Sequence, residues 1–125
     1  MIKISEEVKK AWDLKQDPIV LTTVSKQGVP NSIYATCVAL FEDSLVLVAN
    51  NKFKKTYQNI LENDKATLLF ITKEKKAYQL KGTIKYETEG KAFDDMKKWN
   101  MADMPGYGVA KLEVEEIFSG ADKII

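Results

Sequence analysis

The segment from Ile19 to Ala49, IVLTTVSKQGVPNSIYATCVALFEDSLVLVA, decides the fold. Its apolar and β-branched runs predict three β-strands, over 19–24, 31–40 and 45–49. The first turn contains Gly28, which is free to take a positive φ, and the second turn is formed by 42–44. Because these connections are too short for a crossover, the three strands are expected to pair antiparallel as a meander.

The remaining sequence completes an antiparallel barrel around this meander. Three further strands are predicted over 66–72, 77–87 and 109–118, with helices over 5–15, 53–63 and 90–101. Residues 77–87 alternate apolar and polar side chains, and Gly82 inside that run suggests a bulge or a close approach by another group. The predicted fold is mainly β (α+β), with six antiparallel strands closed as a barrel and about three flanking helices in a single domain, 1–125.

The charged residues exclude several classes of function. The chain has 19 basic and 18 acidic residues, and every basic residue is a lysine, so it contains neither arginine nor histidine. Arginine readout of guanine, histidine-ligated zinc or haem and a Ser-His-Asp triad are therefore excluded. The net charge of +1 gives no reason to expect binding to nucleic acid or to an anionic membrane.

The single cysteine and the N-terminal residues bear on the compartment. Cys37 cannot form an internal disulfide or a metal site by itself, and we expect it to be a buried packing residue in a strand. No apolar signal region follows Met1, and no uninterrupted apolar stretch approaches about 20 residues. The expected location is the cytoplasm.

A chain of this size would more readily build a cofactor site where two copies meet.

The segment Ala49-Asn50-Asn51-Lys52-Phe53-Lys54-Lys55-Thr56 places three lysines at the start of a predicted helix. Cations there oppose the helix macrodipole, at a cost of about 0.3–1 kcal/mol each. A bound anion would reverse that penalty, because backbone N–H groups, lysine charge and the Thr56 hydroxyl would converge on a phosphate. The alternative interpretation is a solvated face in a lysine-rich protein.

Small and polar residues alternate in Pro30-Asn31-Ser32-Ile33-Tyr34-Ala35-Thr36, in a strand expected to be central in the sheet. Their backbone amides and hydroxyls are suited to a planar heterocycle lying against the strand. From the pattern alone, a half-exposed sheet face explains the same alternation.

The order of these features resembles the pyridoxamine 5′-phosphate oxidase-like family, in particular its small single-domain FMN-binding members. The features are the turn Gly28-Val29-Pro30-Asn31, the lysine-lysine-threonine helix, the strand containing Leu80-Lys81-Gly82, and a closing strand Lys111 to Phe118. The resemblance covers about residues 6–120. It implies a Greek-key-like split barrel that works as a homodimer and holds FMN at the dimer interface.

The resemblance also implies which residues contact the cofactor. Lys55 and Thr56, with Lys54 beside them, match the pair that binds the FMN phosphate. The strand along the isoalloxazine ring is matched by Ser32, Ile33, Tyr34 and Ala35, and the strand end before the phosphate helix by Ala49 and Asn50. Gln79 matches a strand residue that approaches the flavin. Trp99 and Tyr107 are expected to lie against the flavin ring that the partner subunit binds. The alternative is that both side chains pack in the core.

The resemblance implies an FMN-dependent oxidoreductase or an electron-transfer protein whose redox partner is unknown. Family members that oxidise pyridoxamine phosphate hold its phosphate with arginine and histidine, and this chain has neither. That specific oxidase activity is therefore not expected, and no side chain is identified as a general acid or base. The alternatives are the same barrel with a deazaflavin or haem, or a flavin carrier or sensor without turnover.

Overall fold

Eight antiparallel strands form one curled sheet in the computed structural model, which describes residues 2–125. The spatial order is β2-β1-β5-β6-β7-β4-β3, and β8 pairs with β7. The strands are β1 Ile19–Val24, β2 Pro30–Ala35, β3 Val38–Phe41, β4 Leu45–Asn50, β5 Lys65–Ile71, β6 Ala77–Glu87, β7 Gly108–Ser119 and β8 Asp122–Lys123. The helices are α1 Glu6–Asp13, α2 Lys55–Glu62 and α3 Lys91–Trp99. The predicted mainly β split-barrel fold is confirmed.

The number of strands differs from the prediction because residues 31–40 form two strands instead of one. Ala35 still pairs with Ile19 of β1, whereas the carbonyl of Cys37 already accepts a 2.9 Å hydrogen bond from the Ala49 N–H of β4. The chain therefore moves from one end of the sheet to the other within two residues. As a result β2 is an edge strand rather than the central one expected, and the short β8 is a further addition.

The core lies inside the curl and is lined by alternate residues of the strands. The alternation predicted over residues 77–87 is confirmed in β6, where the apolar side chains of Tyr78, Leu80 and Ile84 are buried. A smaller cluster lies under α3 and contains Leu47, Ala49, Ala92, Met96 and Val109. None of the helices within residues 2–125 is long and apolar enough to span a membrane.

Two glycines have the roles that the sequence predicted. Gly28 has a φ of 88° in the hairpin between β1 and β2, a conformation that residues with a Cβ rarely adopt. Gly82 lies where the register between β6 and β7 shifts, and a Cβ there would overlap the carbonyl oxygen of Glu113. A bulge and a close backbone approach thus both occur at Gly82.

A polar network attaches α1 to β6. The hydroxyl of Tyr78 donates a 2.9 Å hydrogen bond to Oε2 of Glu7, and Nζ of Lys76 lies 3.3 Å from the same oxygen. The Tyr78 hydrogen bond, followed by the bond and charge of Lys76, lowers the pKa of Glu7 from its usual 4.5. The ionised carboxylate is therefore the form that this contact stabilises.

Candidate functional site

A cavity of about 340 Å³ opens where the chain passes from β2 to β3 and where β4 leads into α2. It contains four residues predicted for a cofactor site: Ile33, Tyr34, Ala35 and Ala49. Small and apolar side chains form much of its wall. The cavity is near the lower limit of ordinary ligand pockets, which occupy about 300–1,000 Å³, so it has room for part of a larger cofactor.

The cavity continues along the outside of β2. A second depression of about 260 Å³ is lined by Val20, Ser32, Ile33 and Tyr34, so the two depressions share Ile33 and Tyr34. The hydroxyls of Ser32 and Thr22 are 2.7 Å apart and hydrogen-bonded. Because β2 is an edge strand, its outer edge presents backbone N–H and C=O groups that no strand within residues 2–125 uses. A planar heterocycle placed here would find both apolar contacts and backbone hydrogen-bonding groups.

Helix α2 begins directly after the cavity wall and lacks an N-terminal cap. Lys54 occupies the N-cap position and makes no capping hydrogen bond through its side chain, and the first turn contains no acidic residue. Lys54 and Lys55 are exposed. None of the ion pairs among residues 2–125 involves Lys52, Lys54 or Lys55. This end of α2 thus combines unshared lysine charge with the unpaired N–H groups of a first helical turn.

Thr56 differs in position from the two lysines before it. It is only 1% exposed, and its Oγ1 accepts a 3.3 Å hydrogen bond from Nδ2 of Asn31. Its side chain therefore joins α2 to β2, while its backbone N–H remains in the first turn of the helix. The predicted contact of the Thr56 hydroxyl with a phosphate stays a prediction.

Asn50, the last residue of β4, is buried and uses its side chain within the protein. Its Oδ1 accepts a 2.7 Å hydrogen bond from the Phe53 N–H, and its Nδ2 donates a 2.8 Å bond to the hydroxyl of Tyr86. The first bond closes the turn between β4 and α2. In this arrangement Asn50 shapes the wall of the cavity by fixing that turn.

Gln79 lies on the outer face of the sheet and is not among the residues lining the cavity. Cross-strand pairing places it in one row that crosses five strands. We call this the outer row, and it consists of Tyr34, Val20, Leu69, Gln79 and Phe118. Tyr34 belongs both to this row and to the cavity, so the row leads directly to the mouth of the cavity.

The two predicted aromatic neighbours of the ring have different environments. Trp99 packs against the small core cluster under α3, and its Nε1 donates a 2.9 Å hydrogen bond to Asp95 Oδ2. Tyr107 is 66% exposed, and its backbone N–H donates a 2.9 Å bond to the carbonyl of Asn50. Within this chain, packing accounts for Trp99, while the Tyr107 ring is available to a ligand or a second copy.

The cavity also contains residues that the sequence did not single out as cofactor contacts. These are Thr36, Cys37, Asn51, Lys52, Phe53 and Met104. Five of them, all except Met104, continue the two predicted runs that end at Ala35 and Asn50, and extending those runs would have found them. The expectation that Cys37 is a buried strand residue is wrong: it is half-buried and lies in the break where the chain leaves β2 for β3. Met104 comes from the distant loop after α3, which no local pattern connects to the cavity.

The residues present fit a flavin mononucleotide. The cavity and the edge of β2 provide surface for a ring, and the start of α2 provides charge for a phosphate. Among residues 2–125, no group of three or more histidine, cysteine, aspartate or glutamate side chains is arranged to hold a metal ion. The geometry is therefore suited to binding and orienting a cofactor.

The curled sheet and the cavity at its edge define a split-barrel protein. The model of the pyridoxamine 5′-phosphate oxidase family matches residues 4–119, and the chain belongs to this family. An uncharacterized protein of Methanocaldococcus jannaschii is 34% identical in an alignment of 124 residues, which covers 95% of this chain and 82% of that relative.

Solved structures share the fold over nearly the whole chain. HupZ of Group A Streptococcus has a TM-score of 0.81 at 28% identity, covering 93% of each chain. An FMN-binding protein from Syntrophomonas wolfei subsp. wolfei has a TM-score of 0.78 at 21% identity, covering 91% of this chain and 86% of that one. An F420 reductase and HutZ, the heme storage protein from Vibrio cholerae, have TM-scores of 0.67 and 0.64 at 14% and 16% identity. The alignment with the F420 reductase covers 92% of this chain and 98% of that one, and the alignment with HutZ covers 94% and 95%. The names of these structures thus mention three different cofactors: FMN, F420 and heme.

Proposed function

We propose that this chain binds FMN in the cavity and works as a flavin-dependent oxidoreductase or electron-transfer protein in a homodimer. One observation carries the proposal: the apolar cavity along β2 leads directly into the uncapped, lysine-rich start of α2. FMN joins a planar, largely apolar ring to a phosphate through a short chain, so its two ends require these two surfaces side by side.

The phosphate end is supported by the charges around α2. A helix start without a side-chain cap has unpaired N–H groups, and the positive end of the helix dipole attracts an anion. Lys54 and Lys55 add two exposed charges at this position without an ion-pair partner among the described residues. Lysine acts here as a point charge, since the chain has no arginine to form a bidentate contact.

The ring end is supported by the edge of β2. Ile33, Ala35 and Ala49 offer apolar surface, and the unpaired backbone groups of the edge strand can bind the polar rim of the ring. When bound, the flavin supplies the redox chemistry, and the protein supplies position and electrostatics. Backbone N–H groups of β2 would favour negative charge on the pyrimidine part of the ring.

The homodimer is supported by the outer row. Four of its five residues are apolar or aromatic: Tyr34 and Leu69 are 76% and 45% exposed, Val20 between them is half-buried, and so is Phe118 beyond Gln79. An apolar row of this kind across a sheet is typical of a surface that packs against another protein. Since Tyr34 also lines the cavity, a second copy packed on the row would lie beside the cavity and could complete it. The proposed setting is the cytoplasm, where an unpaired cysteine such as Cys37 is ordinary.

Two other cofactors are alternatives within the same fold. A deazaflavin has a similar ring and would use the same strand edge, and the F420 reductase structure supports it. Haem is supported by the likeness to HutZ, but this chain has no histidine for a ligand. The same residues would also serve a flavin carrier or sensor without turnover.

A direct competition separates these cofactors. The purified protein is titrated with FMN, F420 and haem, and binding is followed by the absorption spectrum and flavin fluorescence. We expect FMN to bind most tightly, at one per chain, and bound FMN to be reduced by a nicotinamide or another donor. Tighter binding of F420 or haem would overturn the cofactor assignment. Bound FMN that no donor reduces would favour the carrier.

A further inference from the structure

The loop between α3 and β7, residues 100–107, is attached to the end of β4 by a pair of side-chain amides. Asn51 follows β4, and Asn100 is the C-cap residue of α3. Nδ2 of Asn51 lies 2.9 Å from Oδ1 of Asn100, and Nδ2 of Asn100 lies 2.9 Å from Oδ1 of Asn51. Each amide thus donates to and accepts from the other, and both side chains are half-buried. We call these two residues the amide pair.

Three more hydrogen bonds hold the same loop. The Gly106 N–H donates a 3.0 Å bond to Oδ1 of Asn51, which therefore accepts two bonds. The Tyr107 N–H donates to the Asn50 carbonyl at 2.9 Å, and Nζ of Lys97 donates to the Pro105 carbonyl at 2.9 Å. The loop is consequently fixed to residues 50–51 at its beginning and at its end.

The amide pair bears on the cavity because both sides of the contact reach its wall. Asn51 lines the cavity directly, and Met104 lines it from the loop. Met104 belongs to no helix or strand, so its position depends on the bonds that hold the loop. A rotation of Asn51 would release Asn100 and Gly106 together, since its Oδ1 serves both.

We propose that Asn51 and Asn100 are positioning residues that hold the loop 100–107, and with it Met104, against the cofactor cavity. The amide pair thereby slows the dissociation of a bound flavin. This inference rests on the proposed FMN site. Asn100 is the residue to test, because it is not among the residues lining the cavity and acts through Asn51.

The first experiment measures the dissociation rate of FMN from Asn100→Ala by stopped-flow fluorescence. Loss of two reciprocal hydrogen bonds is expected to raise that rate about tenfold or more. Asn100→Asp keeps an acceptor for Asn51 Nδ2 and loses the donor, so its rate is expected to lie between those of wild type and Asn100→Ala.

Asn63→Ala is the matched control. Asn63 is also a half-buried asparagine with two hydrogen bonds, to the Ser25 carbonyl and from the Lys65 N–H, and it is not among the cavity residues. A purely structural role for Asn100 would lower the thermal midpoint in both variants and leave both dissociation rates at the wild-type value. That result would overturn the proposal.

The second experiment measures backbone hydrogen exchange in ligand-free protein. In Asn100→Ala the Gly106 amide is expected to lose protection, whereas the Tyr107 amide, bonded to the Asn50 carbonyl, is expected to lose less. Unchanged protection of Gly106 would show that the pair does not hold the loop. If wild-type protein binds no FMN, the proposed function is wrong, and so is the claim that the amide pair slows dissociation of FMN. The exchange result then decides separately whether the pair holds the loop.

Discussion

Nδ2 of Asn50 donates a 2.8 Å hydrogen bond to the hydroxyl oxygen of Tyr86, which joins the end of β4 to β6 beside the start of α2. The Tyr86 ring contacts Tyr57 of α2 edge-on, with centroids 4.8 Å apart. A Cβ at Gly108 would overlap the same ring. Strand β4, helix α2 and the start of β7 therefore meet around Tyr86, and the turn that forms the cavity wall depends on this contact.

Replacement of Tyr86 by phenylalanine should destabilise the protein by about 1–3 kcal/mol, because the Asn50 amide, only 6% exposed, loses its acceptor. The free energy of unfolding is measured by urea denaturation. Tyr57→Phe is the matched control, since it removes a hydroxyl from the neighbouring ring and leaves Asn50 paired. Equal stability of the two variants would contradict the role given to Asn50.

Removal of the two exposed lysines at the start of α2 should weaken binding of FMN and leave binding of riboflavin unchanged, because riboflavin lacks the phosphate. For Lys54→Ala with Lys55→Ala, we expect at least about a tenfold loss of FMN affinity, measured by fluorescence titration. The control is Lys26→Ala with Lys73→Ala, which makes the same change in net charge at two other exposed positions. Equal losses in the two double variants would indicate a general charge effect rather than a phosphate site.

A charge in the outer row should separate the proposed dimer into monomers. Leu69→Lys introduces an ammonium group in the middle of the row, where packing against a second copy would bury it. Sedimentation velocity is expected to show a monomer, and FMN affinity should fall with dimer loss. Leu14→Lys is the control, because Leu14 is also 45% exposed and lies outside the row. If wild-type protein is a monomer, or if Leu69→Lys remains a dimer, the outer row is not the dimer interface.

The network of Glu7, Tyr78 and Lys76 should make stability depend on acid pH. The pKa of Glu7 is lowered in the folded protein, chiefly by the Tyr78 hydrogen bond. Its contribution is therefore present above the unfolded value and disappears as pH falls through the lowered folded value. Glu7→Gln should be less stable than wild type at pH 7, and this difference should shrink below the usual pKa of 4.5. Denaturation curves of both proteins at pH 7 and pH 3 measure the difference in free energy of unfolding. A difference that does not change with pH would contradict the role given to the ionised Glu7.

Much of the fold could be predicted because strand patterns and tight turns are local properties of the sequence. Strands β1 and β6 have the predicted bounds, and the special conformation of Gly28 and the close approach at Gly82 are both confirmed. The division of residues 31–40 was missed because no glycine, proline, asparagine or aspartate marks a break between 32 and 40. Only the pairing partners, β1 before it and β4 after it, show where the strand ends.

The candidate site could be predicted only where its residues are consecutive in sequence. Residues 33–35 and Ala49, predicted as cofactor contacts, line the cavity, and the contact itself stays a prediction. Met104 and Asn100 could not be found in this way, because tertiary contacts bring their loop to the end of β4. The roles of Asn50 and Thr56 within the chain also depend on partners distant in sequence, Tyr86 and Asn31.

The measurement that tests the central claim most directly is a fluorescence titration of ligand-free wild-type protein with FMN and, separately, with riboflavin. A cavity for the ring beside a phosphate site at α2 predicts saturable binding of FMN at one per chain. It also predicts an affinity at least about tenfold higher than that for riboflavin. Equal affinities would contradict the phosphate site at α2. An absence of binding by either ligand would contradict the flavin site as a whole.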